Sequence, residues 1–67
     1  MKSVLKICNM NTIGDVNRIR QVVSFNEGVI ACQISKEKGE VTVVYDNYFL
    51  TAENIIESLE KIGYTVI

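Results

Sequence analysis

Val29-Ile30-Ala31-Cys32-Gln33-Ile34-Ser35-Lys36-Glu37-Lys38-Gly39-Glu40-Val41-Thr42-Val43-Val44-Tyr45-Asp46 is the stretch that decides the fold. Two apolar, β-branched runs flank a short polar segment. The second run alternates: Val41, Val43 and Tyr45 face one way, Glu40, Thr42 and Val44 the other. That period of two predicts a strand over Glu40–Asp46 with one buried face. The first run, Val29–Ser35, predicts a partner strand with Ile30, Cys32 and Ile34 on one face. Lys36-Glu37-Lys38-Gly39 joins them as a hairpin tip, with Gly39 able to take positive φ.

The period changes on both sides of this hairpin. From about Thr12 to Ser24, Val16, Ile19 and Val23 recur at spacings of three and four, with Val22 beside them. Asn17, Arg18, Arg20 and Gln21 fill the other side, so an amphipathic helix is expected. Asn26-Glu27-Gly28 ends it in a turn. After the hairpin, Thr51 is a candidate N-cap and Glu53 suits the positive end of the helix that follows. Ile55, Leu59 and Ile62 form that helix's apolar stripe, Ile56 widens it, and Gly63 suits the position beyond its end. Residues 2–8 alternate loosely, with Leu5 and Ile7 inward and Lys6 and Cys8 outward. Tyr64–Ile67 is expected as a short last strand. The order βαββαβ specifies an α+β, ferredoxin-like sandwich. Its four-stranded antiparallel sheet has order 4-1-3-2, with both helices on one face.

Sixty-seven residues make a single domain spanning 1–67. The 48% hydrophobic content is that of a folded globule. Seven basic and eight acidic residues are interspersed, for a net charge of −1, and no basic patch marks nucleic acid as a partner. Uncharged apolar runs such as Val41–Tyr45 are too short to span a bilayer, and Met1–Lys6 does not read as a secretion signal. A cytoplasmic location is expected. With no histidine and two distant cysteines, neither a zinc knuckle nor a disulfide framework is indicated.

Residues along the whole chain resemble the heavy-metal-associated domain, the fold of copper chaperones and of metal-pump N-terminal domains. The resemblance rests on the apolar strand before Met10, on Gly28-Val29 after the first helix, and on Val41-x-Val43-x-Tyr45-Asp46. It closes with Ile55, Leu59 and Ile62-Gly63-Tyr64. In that family the stretch after the first strand reads Met-x-Cys-x-x-Cys, and its two thiolates hold the metal. Here it reads Met10-Asn11-Thr12-Ile13-Gly14-Asp15, with Thr12 and Asp15 at the ligand positions. The resemblance implies that Met10 packs under the loop and that Tyr64 takes the place that closes over the metal site in bacterial chaperones. It implies no metal role for Thr12 or Asp15.

Thr12-x-x-Asp15 also has the spacing of a helix capping box, in which hydroxyl and carboxylate each accept from the other residue's N–H. This accounts for both residues at once and is preferred. The competing reading is a metal site of other ligands. Cys8 and Met10 are soft donors for Cu(I) or another heavy metal, and Asn9, Asn11 and Asp15 supply oxygens for a harder ion. Cys32 is expected as a small core residue and Cys8 on the open sheet face. With strand three between them, their strands lie ~9–10 Å apart, beyond the ~7 Å reach of a disulfide. Arg18 and Arg20 lie about 200° apart around a helix and make no tight anion site. Tyr45, Tyr48, Phe49 and Phe25 are expected as core and edge-packing residues. Lys6, Cys8, Gln33, Thr42 and Val44 form a mixed outer sheet surface suited to weak self-association.

Three functions follow in order of preference. The first is a degenerate heavy-metal-associated domain acting as an interaction or regulatory module. It would meet a protein partner, such as a related metal-transport domain, as a monomer or weak homodimer. The second is a metal-binding chaperone or transport-associated domain using Cys8, Met10 and Asp15. The third is an acyl-phosphate hydrolase, which some small ferredoxin-like proteins are. No positioned arginine or Gly-rich phosphate loop supports it, so no catalytic residue is assigned.

Overall fold

The computed structural model describes residues 1–67. Its elements are β1 (Lys2–Lys6), α1 (Ile13–Phe25), β2 (Val29–Ser35), β3 (Glu40–Tyr45) and α2 (Ala52–Lys61). The strands form a three-stranded antiparallel sheet of order β1-β3-β2. A fourth segment lies along the outer edge of β1 through one antiparallel bridge, Ile7 with Val66. The Cys8 N–H donates to the Thr65 carbonyl at 3.1 Å, and the Ile67 N–H to the Lys6 carbonyl at 2.8 Å. The sheet therefore has the ferredoxin-like arrangement, but a bridge replaces the strand expected over residues 64–67. Gly63, at φ 95°, turns the chain, and Tyr64 goes inward, so only Thr65–Ile67 run beside β1. β1 likewise ends at Lys6 instead of residue 8. The Ile7 N–H bonds the Gly39 carbonyl at 2.7 Å, and the chain then turns at Cys8–Asn9.

The core follows from the two periodicities. Leu5, Ile7, Val41, Val43 and Tyr45 come from the sheet, Ile19 and Val23 from α1, and Ile55 and Leu59 from α2. Ile19, Val23, Val41, Val43, Ile55 and Leu59 are fully buried. Each such side chain contributes roughly 1.5–3 kcal/mol of hydrophobic stabilisation. Asn26 joins the helices. Its side-chain amide donates to the Val22 carbonyl at 3.1 Å and to the Ser58 hydroxyl at 3.2 Å. Gly39 is demanded twice over: its φ is 65°, and a Cβ there would stand 2.9 Å from the Ile7 carbonyl oxygen.

Two expectations are corrected. Ile30 is 71% exposed, because a register shift between Val29 and Ala31 rotates it off the core face. Val29, Cys32 and Ile34 pack against the core instead. Phe25 and Tyr48, expected as packing residues, are 92% and 84% exposed, and Phe49 is also exposed. Phe25 is the last residue of α1. Tyr48 and Phe49 sit in a turn whose N–H groups bond the Asp46 side chain and carbonyl, which leaves Leu50 the inward position. The two rings pack on each other edge to face, with centroids 5.2 Å apart. Tyr45 is buried as expected, its hydroxyl 3.0 Å from Ser3 Oγ. On the outer sheet surface Lys6, Cys8 and Gln33 are exposed, while Thr42 and Val44 are half-buried.

Candidate functional site

The loop between β1 and α1 is organised by the helix it precedes. A helix start leaves its first N–H groups without intrahelical partners, and a threonine followed three residues later by an acid can satisfy two of them. Thr12 is the N-cap of α1 and is extended, at φ −124° and ψ 164°. Its Oγ1 accepts from the Asp15 N–H at 3.0 Å, and Asp15 Oδ2 accepts from the Thr12 N–H at 3.0 Å. The capping box expected from the spacing is present.

Asp15 does more than the box requires. Oδ2 also accepts from the Asn11 N–H at 2.9 Å. Oδ1 accepts from the Tyr64 hydroxyl at 2.6 Å, joining residues far apart in the chain. Tyr64, Asn11 and Thr12, in that order of effect, favour the ionised carboxylate and hold its pKa down at about 2. The same bond raises the pKa of Tyr64, because a phenol donating to a carboxylate resists losing its proton. A second tie lies beside it. The Asn9 side chain donates to the Gly63 carbonyl at 3.0 Å and accepts from the Thr65 N–H at 2.9 Å. Asn9, Asp15 and Tyr64 thus fasten the loop to the segment that leaves α2.

The other candidate residues take distinct places. Met10 is buried in the core beneath the loop. Cys8 is exposed at the turn that begins the loop, and its thiol is free. Cys32 is a free, half-buried thiol packed against the core, its pKa raised by burial and drawn partly back by Arg20. No three His, Cys, Asp or Glu side chains are grouped to share an ion. Gly14 keeps ordinary helical geometry, and a Cβ there would meet only Thr12 Oγ1, at 3.5 Å.

Sequence reasoning missed two members of this arrangement. The sequence marks Asn9 only as an oxygen donor in a loop, yet both ends of its amide are engaged. Tyr64 is marked by resemblance alone, and nothing local in the sequence points to its bond with Asp15. The available signal was that Tyr64 and Asp15 both fall on positions that the family gathers at one site.

Comparison with known proteins places this geometry. The model of the heavy-metal-associated domain matches residues 4–65. No curated protein matches the chain. Among solved structures, "CopZ metallochaperone" superposes with a TM-score of 0.96 at 21% identity, covering 100% of both chains. A putative copper-ion-binding protein from Bacillus anthracis str. Ames gives 0.95 at 27% identity, covering 100% of this chain and 94% of its own. The yeast copper transporter domain Ccc2a gives 0.90 at 31% identity, covering 97% and 89%. With its helices and sheet in the family's arrangement and the family's model matched over almost its full length, the chain belongs to the heavy-metal-associated domain family.

Proposed function

We propose that this chain is a heavy-metal-associated domain that binds a protein partner in the setting of metal trafficking and does not carry metal through a cysteine pair. The observation that carries the reading is the state of Asp15. At a position where the family places a thiolate, its carboxylate is engaged by Asn11, Thr12 and Tyr64. The hydroxyl of Thr12 is likewise taken up, by the Asp15 N–H. A hydroxyl and a carboxylate are also poor donors for soft ions. The copper proteins that share the fold support a setting beside metal transport. No helix is long and apolar enough to cross a membrane, and the proposed location is the cytoplasm. The proposed role is non-enzymatic.

The exposed thiol of Cys8 favours a second reading, in which the loop holds a soft ion through non-standard ligands. It would use Cys8 with Met10 or Asp15. Burial of Met10 and the occupied oxygens of Asp15 weigh against it.

Both readings are tested by titrating the reduced, anaerobic protein with Cu(I) against a competing chelator, beside a Thr12→Cys/Asp15→Cys variant. Tight binding by the double variant alone is the expected result. Tight stoichiometric binding by the unmodified chain overturns the proposal, and its loss in Cys8→Ser then assigns the site to Cys8.

A further inference from the structure

At the pole opposite the Asn9–Asp15 loop, aromatic rings stand in water. Phe25 ends α1, about 20 Å along that helix from Thr12. Tyr48 and Phe49 pack on each other in the turn before α2. Phe49 lies against the Gly28 turn, where an added Cβ would stand 3.0 Å from its own Cβ. All three rings are exposed. Beside them an open groove runs between the helices in two adjoining parts. One is lined by Gln21, Val22, Phe25, Asn26 and Ser58. The other shares Asn26 and Ser58 and continues to Glu27, Phe49, Glu57 and Lys61. The hydrogen bond from Asn26 to Ser58 is the saddle between them. The first part offers a ring and a valine, the second carboxylates.

This pole carries an excess of negative charge. Glu27 and Glu57 line the groove, and Glu53 stands one turn before Glu57 on α2. Asp46 lies at the Gly28 turn, its N–H bonded to the Gly28 carbonyl. Two cations stand against these four carboxylates, and both are engaged. Lys61 pairs with Glu57 at 3.9 Å, and the Met1 ammonium gives to the Tyr45 carbonyl at 2.9 Å. Lys2 points to the open sheet face, because its neighbour Ser3 turns inward to Tyr45. Arg18 and Arg20 act elsewhere, on Tyr64 and on Cys32. The helix ends differ as well. The positive start of α2 has Glu53 in its first turn, whereas the negative finish of α1 has no basic residue in its last turn.

We propose that this groove docks an amphipathic, lysine- or arginine-bearing segment of a partner protein. An apolar side chain enters beside Val22 and Phe25, and a basic one lies along Phe49 with its charge at Glu27. Aromatic faces next to carboxylates suit long basic side chains, whose stems are apolar and whose heads are charged. A second copy does not fit, since a two-fold contact would bring the same four carboxylates together. Nucleic acid and anionic lipid are repelled for the same reason. The inference rests on the partner-binding reading above and gives it a surface, at the end of the molecule remote from the loop.

The test is an NMR titration of the whole chain with an amphipathic leucine–lysine peptide, with its leucine–glutamate counterpart and with a lysine-only peptide. Saturable shifts at the amides of Phe25, Asn26, Phe49 and Ser58 are expected with the first peptide alone, fading as salt is added. Phe25 and Glu27 are exposed, so Phe25→Ala and Glu27→Lys leave the chain folded, as circular dichroism will verify. Each is expected to weaken binding roughly tenfold. Absence of saturable binding overturns the proposal, as does equal binding of either control peptide or indifference to both substitutions. Shifts centred on Asn9–Asp15 overturn it by moving the partner to the loop. Shifts that appear on concentrating the chain alone overturn it by giving the face to a second copy. The Cu(I) titration tests the reading on which the proposal rests, so the two fail separately.

Discussion

The two helices begin with the same chemistry in different surroundings. Each starts at a threonine cap with a reciprocal partner three residues on: Thr12 with Asp15 in α1, Thr51 with Asn54 in α2. In α2 the partner is a neutral amide and the bonds stay within the box. The Thr51 N–H and hydroxyl both give to Asn54 Oδ1, at 3.1 and 2.9 Å. In α1 the partner is a carboxylate, and its bonds leave the box for Asn11 and Tyr64. Capping therefore accounts for Thr12 completely but for Asp15 only in part. One carboxylate oxygen serves the helix start, and the other fastens the loop to the far end of the chain.

The comparison requires that the two helices be alike below their caps. Ile19→Ala in α1 and Ile55→Ala in α2 each empty a fully buried site. Each is expected to cost about 2–5 kcal/mol in urea unfolding. A much smaller loss for one helix would show that its cap rests on a weaker base. Thr12→Ala and Thr51→Ala should each cost about 1 kcal/mol, and near-equal losses would identify the threonines as ordinary caps. Gly14→Ala acts in the opposite direction. It should gain roughly 0.8–1 kcal/mol, since the site has room and helical geometry. A loss there would mean that the loop needs the glycine's freedom.

The subtlest test isolates the extra bond. In Tyr64→Phe, the Asp15 pKa followed by carboxyl NMR should climb from about 2 toward its ordinary 3.8. Because folding lowers this pKa, the charged carboxylate stabilises the fold above about pH 3.8. That contribution fades as pH falls through about 2. The stability difference between the unmodified chain and Asp15→Asn should shrink across this window. A difference that persists unchanged would assign the stabilisation to packing and not to charge.

The same contrast shows what a sequence can carry. Local patterns were legible: the alternation of Val41, Val43 and Tyr45, the stripe of Ile55 and Leu59, and the Thr12-x-x-Asp15 box. All are decided by neighbours within a turn or a pleat. Non-local outcomes were not. Ile30 follows the alternation of its strand, but one extra residue in the register puts it outside. Phe25 and Phe49 are apolar enough for the core, yet the Asp46 turn and the end of α1 hold them out. Family resemblance placed Tyr64 near the loop, but its choice of Asp15 as acceptor depends on a meeting in space.

The fourth position of the sheet is a single bridge, and this gives the loop a hierarchy of opening. Short edge segments are the first to unfold locally, at a free energy well below that of the whole domain. When residues 64–67 lift from β1, the bridge and the bonds from Tyr64 to Asp15 and from Thr65 to Asn9 break together. The bonds of the Thr12–Asp15 box involve none of those residues and stay closed. Of its ties to the segment after α2, the loop then keeps only the Asn9 bond to the Gly63 carbonyl while α1 remains folded, so most of its rigidity is lent to it by the other end of the chain.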